Sequence, residues 1–545
     1  YSIVFNGEIY NFRELRRDLE KNHVFRTQGD TEVLLALFVR DGVEAFARLN
    51  GMFALAIWDR KKEELILARD HGGIKPLYYR VHEGTLTFSS EVKGILADAT
   101  IERKVNREAL ESYLRLRYVP EPFSMIQGIE KLPPASYAIF KLGKLDIHTF
   151  YAPDLQPLLK LRRDDAEATT RTLVDASVRR QLVSDRPIGV FLSGGLDSTI
   201  VLDAAIRTGG RPETFSLAFA LSEHEQAEKF NADARIAAVT AQHYGTRHQE
   251  ITLDESTFVA SLPDAVRFLD QPLANATAVA QYVLAKESRK RIVVALQGDG
   301  GDELFGGYPR YRLSLLMDRY QHVPAIVRRL AGFLHPKLAK MNLVGGIDRV
   351  ALFHFEKKEL LKRAVASEYV STRPQAWFEN QYLQNRNETD FTQLLMDVDR
   401  RSWLVDEALA RTDTMTMGAS LEARVPLLDP DIVSFVSRLP TSMRVDLFTN
   451  KKLLRDAFKA RLPHHIFQEK KRGFFSPTAK WLRRPRMLAL AREVLSPGYH
   501  AGTDNILAPD VLALLEQHVA GSYAMNTLWT LISFRLWAKE FDAKL

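Results

Sequence analysis

Cysteine is absent from all 545 residues of the sequence. Disulfide bonds, thiolate nucleophiles and zinc sites built on sulfur are therefore excluded for the chain as given. No stretch reaches roughly eighteen uncharged apolar residues, the length of a membrane span, so we expect no membrane partner. The first residues, Tyr1 to Gly7, have neither the basic start nor the cleavage site of a signal peptide. These absences predict a cytoplasmic setting.

The excess of charge of one sign is also small. Lys and Arg number 75 and Asp and Glu 68, which gives +7 spread over a long chain. The basic clusters are short and lack interleaved aromatic residues: Arg179–Arg180, Lys470–Lys471–Arg472 and Arg483–Arg484. They indicate a solvated face or a site for small anionic molecules, and we expect no nucleic-acid partner.

The length exceeds one ordinary core, and the pattern changes along the chain. Residues 1–151 alternate short strands and tight turns with a few helices, which predicts a layered α+β domain with an antiparallel sheet. Its first strand, Ser2 to Phe5, is predicted to end at the turn pair Asn6-Gly7. Residues 152–165 carry two prolines and then a charge run, and are predicted to be a linker. Residues 166–545 begin with alternating strands and helices, which predicts a doubly wound parallel sheet, and beyond about Tyr311 only helices are expected.

The strongest local pattern is the stretch from Arg186 to Arg207. An apolar strand, Ile188 to Leu192, leads through Ser193, Gly194 and Gly195 into a helix that starts near Asp197 and Ser198. The helix start directs unpaired backbone N–H groups at one point, glycine lets an anion approach closely, and the serines add hydroxyl donors. The stretch predicts a phosphate-binding loop, although not of the Walker type, because no Gly-Lys-Ser/Thr follows the glycines. The alternative is a plain strand-to-helix turn that needs glycine.

A second glycine-rich stretch runs from Gln297 to Tyr308, directly after the predicted strand Ile292–Leu296. Five glycines and three carboxylates lie between Gly298 and Tyr308. If both strands are parallel neighbours, this loop lies at the same sheet edge as the Ser-Gly-Gly loop. Mg²⁺ takes one or two carboxylates plus phosphate oxygens, and Asp197 and Asp302 are the candidates. A flexible surface loop is the alternative.

Together, SGGLDS at 193–198 and GDGGDELFGGY at 298–308 resemble the ATP-pyrophosphatase (PP-loop) domain of glutamine-hydrolysing asparagine synthetases. Four earlier stretches are similar to that family's N-terminal-nucleophile glutaminase domain: Asn6–Asn11, Thr27–Glu32, Leu49–Ala54 and Arg69–Tyr79. Three later ones resemble its synthetase signatures: Thr412–Asp429, Lys451–Arg455 and Lys471–Phe474. Several separated motifs in the right order are more specific than any one of them.

The resemblance implies that a substrate carboxylate, that of aspartate in the namesake enzymes, attacks the α-phosphate of ATP and becomes an acyl-adenylate. Pyrophosphate would leave into the loop formed by Ser193, Gly194, Gly195, Leu196, Asp197 and Ser198, with Mg²⁺ on Asp197 and Asp302. The adenosine would lie near Phe191, Leu217, Gln297 and Gly298. Asp299 takes the position of a family acid that is important for forming the adenylate. Lys471 resembles the lysine that steadies charge on the transferring phosphate, with Lys470 as the rival alignment.

In the first domain the resemblance implies glutamine hydrolysis. Asn6 and Gly7 match the oxyanion-hole position, and Glu8 and Asp30 match residues that hold the glutamine head group. Without the resemblance, Asn6-Gly7 is only a turn. The family's nucleophile is an N-terminal cysteine with a free α-amine, and this chain has no cysteine. We therefore expect a piece of a longer protein, or one lacking its start, rather than a naturally inactive enzyme, and we expect it to use ammonium but not glutamine.

Three residues depart from the family pattern. Gly72 stands where a bulky residue is common, and Gln271 and Asn275 stand where acidic residues are common, beside the implied acceptor pocket. The alternatives to asparagine formation are therefore the same chemistry on another carboxylate, such as a cell-surface sugar acid, or a non-catalytic nucleotide-binding regulator. The implied partners are glutamine, aspartate or another carboxylate, and ATP, and the resemblance also implies a homodimer as one arrangement.

Overall fold

The computed structural model describes residues 1–154, 160–225, 227–334, 341–342, 346–384, 390–468 and 476–545. Within this part of the chain lie two antiparallel sheets, both before residue 150, and one parallel sheet after it. This mixture of antiparallel and parallel layers confirms the predicted fold class.

The first antiparallel sheet has the strand order β1-β2-β3-β7-β8, and the second has the order β5-β4-β6. Their bounds are β1 Ser2–Ile9, β2 Gly51–Asp59, β3 Glu64–Arg69, β4 Tyr78–His82, β5 Thr85–Ser89, β6 Glu130–Lys131, β7 Ser136–Lys141 and β8 Lys144–Thr149. The helices among them are α1 Phe12–Leu19, α2 Asp30–Asp41, α3 Val92–Ile95 and α4 Arg107–Leu116, with a 3₁₀ turn at Gly42–Arg48.

Strand β1 corrects one expectation, because it does not end in a turn at Asn6-Gly7. Its pairing with β2 continues to Ile9, which lies opposite Gly51. Gly7 is needed for close approach rather than for a turn: a Cβ on it would stand 2.0 Å from the carbonyl oxygen of Met52. The predicted turn was wrong because the glycine serves strand packing.

The parallel sheet has the strand order β11-β10-β9-β12-β13, and every pairing within it is parallel. The bounds are β9 Ile188–Phe191, β10 Glu213–Phe219, β11 His248–Leu253, β12 Val294–Leu296 and β13 Glu422–Arg424. β13 corrects the expectation that only helices follow Tyr311. It is three residues long and begins and ends with a charged residue, so no apolar run marks it in the sequence.

Helices surround this sheet and form most of the remaining chain. They are α5 Arg163–Gln181, α6 Leu196–Arg207, α7 Ala227–Tyr244, α8 Glu255–Leu269, α9 Thr277–Ser288, α10 Gly301–Phe305, α11 Pro309–Gln321, α12 Ala325–Leu334, α13 Gly346–His354, α14 Lys358–Leu361, α15 Arg373–Tyr382, α16 Phe391–Arg401, α17 Ala410–Met417, α18 Pro430–Ser437, α19 Thr441–Arg444, α20 Lys452–Phe458, α21 His465–Gln468, α22 Thr478–Trp481, α23 Pro485–Val494, α24 Val511–Val519 and α25 Met525–Glu540. A π-helical stretch, Leu404–Leu409, precedes α17, and 3₁₀ turns cover Glu223–Glu225, Ser367–Tyr369, Pro426–Leu428 and Ala501–Ile506. In the described part of the chain, no helix combines the length and the apolar character needed to cross a membrane.

Buried polar contacts join the N-terminal sheets to the later helices. The ammonium of Lys75, which is 1% exposed, lies 2.7 Å from Oδ1 of Asp413 on α17. The side-chain amide of Asn50 donates to Asp429 just before α18, at 3.1 Å. Buried charges of this kind need their partner, because an unpaired buried charge is costly. The antiparallel sheets are therefore held against the helices that surround the parallel sheet.

Candidate active site

The Ser-Gly-Gly loop leaves the parallel sheet at the end of β9 and enters α6. Gly195 is the residue before the helix, and the Ser193 and Ser198 hydroxyls lie 3.0 Å apart across the loop. Gly194 has φ +68°, and a Cβ on it would stand 2.5 Å from the carbonyl oxygen of Asp233 on α7. Glycine is thus required there both by the left-handed backbone and by the closeness of α7. Gly195 supplies no side-chain cap to α6, so the first amides of the helix are not capped by a side chain from that position, and uncapped amides of this kind can bind an anion.

The second loop, after β12, packs directly against the start of α6. A Cβ on Gly298 would stand 2.7 Å from Cβ of Asp197, and one on Gly301 would stand 2.6 Å from Asp197 Oδ1. β12 pairs with β9, so both loops leave the same edge of the sheet, as the parallel arrangement predicts. The two glycine-rich stretches found in the sequence therefore form one site.

The ammonium of Lys451 joins the two candidate metal ligands. It lies 2.6 Å from Asp302 Oδ1 and also forms an ion pair with Asp197. Lys451 is 3% exposed and has φ +51°, an uncommon conformation for a residue with a side chain. Glycine is required at position 307 for Lys451 to reach Asp302, because a Cβ on Gly307 would overlap both side chains. The sequence indicates the motif Lys451–Arg455 but does not predict that Lys451 lies between Asp197 and Asp302.

The two carboxylates fit a magnesium ion. Both reach one cationic group, Lys451, so they face a common point, and Asp197 Oδ1 is buried with no hydrogen-bond partner among the described residues. Carboxylate oxygens are the ligands that Mg²⁺ prefers, with phosphate and water completing the set. No group of three or more acidic, histidine or cysteine side chains poised to hold a metal occurs among the residues that the structure describes. Two acids plus ATP suffice for a nucleotide-bound Mg²⁺.

Asp299 lies beside this point but faces α17. The hydroxyl of Thr412 donates to Asp299 Oδ2 at 2.8 Å, and the amide of Gln281 donates to Thr412 at 3.0 Å. Burial raises the pKa of Asp299, while Arg411 and the Thr412 hydrogen bond oppose that rise. Arg411 in turn forms an ion pair with Glu407 at 3.0 Å. Asp299 is thus held in place from the helix that also carries Asp413.

The remaining candidates of this half lie as follows. Phe191 ends β9 and Leu217 lies within the neighbouring β10, both nearly buried. The backbone N–H of Gln297 donates to the carbonyl oxygen of Arg424 at 2.9 Å, which ties the second loop to β13. Leu196 is the first residue of α6. Lys471 and its rival Lys470 lie outside the described residues.

The glutaminase candidates gather around β1. The side-chain amide of Asn6 donates to Ser90 at 3.1 Å, and Asp30, the first residue of α2, accepts the backbone N–H of Ile9 at 2.9 Å. Glu8 lies 3.7 Å from a guanidinium nitrogen of Arg424. Burial raises the pKa of Glu8 to about 7, although Arg424 opposes the rise. Glu8 thus faces the parallel-sheet half of the molecule.

Two family models cover most of the chain: asparagine synthase over residues 169–539 and a glutamine amidotransferase domain over residues 1–151. The chain belongs to the asparagine synthase family. As a member of this family it is an enzyme, a carbon–nitrogen ligase whose relatives carry out glutamine-dependent amidation and use ATP.

Individual relatives of this chain support its assignment to the family. Asparagine synthetase [glutamine-hydrolyzing] 1 of Bacillus subtilis (strain 168) is 32% identical over 551 residues, 98% of this chain and 85% of that protein. A Mycobacterium tuberculosis (H37Rv) protein that carries a glutamine-hydrolysing asparagine synthetase name is 33% identical over 566 residues, 99% and 84% of the two chains. The amidase chry2 of Gibberella zeae is 25% identical over 525 residues, 88% of this chain and 77% of its own.

Proposed function

We propose that this chain adenylates a carboxylate with ATP and Mg²⁺ between the Ser-Gly-Gly loop and the Gly298–Tyr308 loop, and then converts it into an amide. The observation that carries the proposal is the contact of Gly298 and Gly301 with Asp197, together with Lys451 between Asp197 and Asp302. Amide donors and acidic groups thus adjoin one another, as binding a metal–triphosphate requires.

The reaction has two stages. An oxygen of the substrate carboxylate forms a bond to the α-phosphorus of ATP, the bond to the β-phosphate oxygen breaks, and pyrophosphate leaves with that electron pair. Ammonia then attacks the acyl carbon, AMP leaves, and the nitrogen loses a proton. L-Aspartate is the default acceptor, which gives asparagine, AMP and pyrophosphate.

The chain's own residues have distinct parts in this proposal. Ser193 to Ser198 hold pyrophosphate through backbone amides and hydroxyls, and Phe191, Leu217, Gln297 and Gly298 line the adenosine position. Asp197 and Asp302 would hold Mg²⁺, which when bound balances the charge of the phosphates. Asp299, which accepts a hydrogen bond from Thr412, would act on the adenylate or on the proton of ammonia. Lys471 would steady the transferring phosphate.

In the N-terminal half, Asn6 and Gly7 would stabilise the oxyanion formed from glutamine, and Glu8 and Asp30 would hold the amino-acid head group. The ion pair between Lys75 and Asp413 and the approach of Arg424 to Glu8 join this half to the adenylation site. Ammonia released from glutamine would serve the amide-forming step only where the cysteine nucleophile of the glutaminase domain is supplied, and the chain as given, which has no cysteine, is expected to use ammonium.

A second acceptor is favoured by two amides near the implied acceptor pocket. Gln271 accepts the backbone N–H of Met125 at 2.7 Å and leaves its own NH₂ group buried without a partner among the described residues. Asn275 donates to Glu407, the partner of Arg411. Gln271 and Asn275 are neutral amides at positions where acidic residues are common, so they would alter the preference of the pocket for a substrate that carries an ammonium group. A carboxylate other than that of aspartate is therefore the second candidate acceptor. The regulator alternative loses its basis because the chain belongs to a family of enzymes.

The test supplies ATP, Mg²⁺ and ammonium with a panel of acids: L-aspartate, L-glutamate, a uronic acid and an N-acylated amino-sugar acid. Pyrophosphate release and the mass of the amide identify the acceptor. Asp302→Asn should lower pyrophosphate release at least about 100-fold, because phosphate repulsion is left unbalanced. Asp164→Asn, on the exposed start of α5, is the control and should keep full activity. Unchanged turnover in Asp302→Asn, or no release with any acid, would contradict the proposal.

A further inference from the structure

Helix α12 exposes an apolar stripe that no other part of the described chain covers. Ile326, Leu330 and Phe333 are 70%, 63% and 91% exposed and lie at positions i, i+4 and i+7, so they share one helix face. A helix of a globular protein normally buries such a face against the core. The stripe is therefore available to something outside the chain.

The charge beside the stripe is of one sign. Arg329 is exposed and lies one turn from Ile326 and Phe333, at the edge of the apolar face. Arg328 points back to the protein, where its Nε donates to the carbonyl oxygen of Val323 at 3.0 Å. From Pro309 to Leu334 the sequence has five arginines and one acidic residue, Asp318; Arg310 is paired with the buried Asp399, and the other four arginines with Asp318 give a net charge of +3. Asp318 is engaged with Arg349.

Apolar exposure also occurs on the preceding helix. Leu313 and Leu316 of α11 and the 85% exposed Phe448 border a surface cavity of about 370 Å³, which Pro309, Arg312 and Leu447 complete. Arg312 is held at its rim by a hydrogen bond to Leu447. Exposed large apolar side chains next to arginine thus recur on both helices of this helix pair. Contiguous apolar exposure of this kind is uncommon on proteins that have no partner surface.

We propose that α12 lies in the surface of an anionic lipid membrane, with Ile326, Leu330 and Phe333 among the acyl chains and Arg329 at the lipid phosphates. A short helix with an apolar face and cationic flanks binds an interface in this way without spanning it. A second copy of the chain is the weaker occupant, because a two-fold contact would bring the same arginines together. A neutral surface would leave Arg329 without a counter-charge. An anionic lipid surface accommodates the apolar side chains and also supplies a counter-charge for Arg329. The proposal therefore departs from the expectation, drawn from the sequence, that the chain has no membrane partner.

The test is flotation of the full chain with vesicles of phosphatidylcholine and phosphatidylglycerol in equal parts, compared with pure phosphatidylcholine vesicles. The chain should float with the mixed vesicles and stay unbound with the neutral ones. Added salt should lower the bound fraction, because the arginine contribution is screened while the apolar one is not. Absence of binding to the anionic vesicles would overturn the proposal.

Variants identify the surface. Leu330→Ser with Phe333→Ser should lower binding to the mixed vesicles by about tenfold or more, and Arg329→Gln by about fivefold. The matched control is Val24→Ser with Leu142→Ser, two residues that are 90% and 89% exposed in the N-terminal half, and it should bind like the parent chain. Binding that survives the double change in α12 would overturn the proposal.

Sedimentation velocity distinguishes the other occupant. A dimer that the α12 changes convert to a monomer, with no vesicle binding by the parent chain, would assign the stripe to a second copy and overturn the membrane proposal. Pyrophosphate release should be the same in all these variants, because none of the changed residues lies in the adenylation site. A failed flotation therefore leaves the proposed amidation reaction intact.

Discussion

The ammonium of Lys451 lies 2.6 Å from Asp302 Oδ1 and pairs with Asp197 as well, so one lysine balances both candidate metal ligands. Lys451→Met should leave the two carboxylates facing each other without a cation. Without metal, the thermal midpoint of Lys451→Met should be lower than that of the parent chain. Adding Mg²⁺ should raise the midpoint of the variant more than that of the parent chain, and pyrophosphate release should fall by about tenfold or more. Lys452→Met, which removes only a surface pair with Asp446, is the control. If Mg²⁺ raises the thermal midpoints of Lys451→Met and Lys452→Met equally, Lys451 does not balance the charge of Asp197 and Asp302.

Gly298 approaches Asp197 so closely that a methyl group has no room. Gly298→Ala would place its Cβ 2.7 Å from Asp197 Cβ and 2.8 Å from the Ser198 nitrogen, so the two loops must move apart. We expect about 1–3 kcal/mol lower stability and a loss of ATP-dependent pyrophosphate exchange well beyond that expected from stability alone. The matched control is Gly72→Ala, whose Cβ would meet only ordinary contacts at 3.4 Å or more. Normal exchange by Gly298→Ala would contradict the shared site.

The meeting of these loops could be predicted because it follows from local pattern and one topological rule. Each loop follows a short apolar strand, and parallel strands bring their carboxyl ends to one edge of the sheet. Glycine content then indicates close backbone approach. The same reasoning named Asp197 and Asp302 as candidates, since acids in glycine-rich loops are poor core residues, whereas Asp299 was named only through the resemblance to the family.

Lys451 and β13 could not be predicted in the same way. The position of Lys451 depends on Gly306 and Gly307, to which it is brought by tertiary packing, and nothing in its own neighbourhood distinguishes it from Lys452. β13 is three residues long, and its Arg424 is buried because it bonds to the carbonyl oxygens of Gln181 and Val183 and to Glu422. A charged residue buried by long-range partners does not show in a hydrophobic pattern.

Lys75 and Asp413 form a buried ion pair between the N-terminal half and α17. Lys75→Met removes one partner and leaves the other charge buried, so we expect about 3–5 kcal/mol lower stability. The double variant Lys75→Met with Asp413→Asn should recover part of that loss, because no buried charge remains. Denaturant midpoints of the two variants and of the exposed control Lys62→Met make the comparison. Equal loss in the single and double variants would show that packing, rather than the charge, is responsible.

Asp413 is preceded on α17 by Thr412, whose hydroxyl donates a hydrogen bond to Asp299. The interface pair and the proposed adenylation site are therefore supported by consecutive residues of α17.

The contact between Glu8 and Arg424, which also joins the two halves, can be tested through its dependence on pH. Burial raises its pKa from about 4.5 to about 7 in the folded chain, with Arg424 opposing the rise. A raised carboxyl pKa means that the folded state holds the proton more tightly, so the stability contribution is complete below pH 4.5 and is lost as the pH rises through 7. The neutral variant Glu8→Gln lacks this titration. The thermal midpoint of the parent chain minus that of Glu8→Gln should therefore fall between these two pH values and stay level above them. A difference that is constant with pH, or that grows as the pH rises, would show that Glu8 is ionised with an ordinary pKa and that Arg424 outweighs its burial.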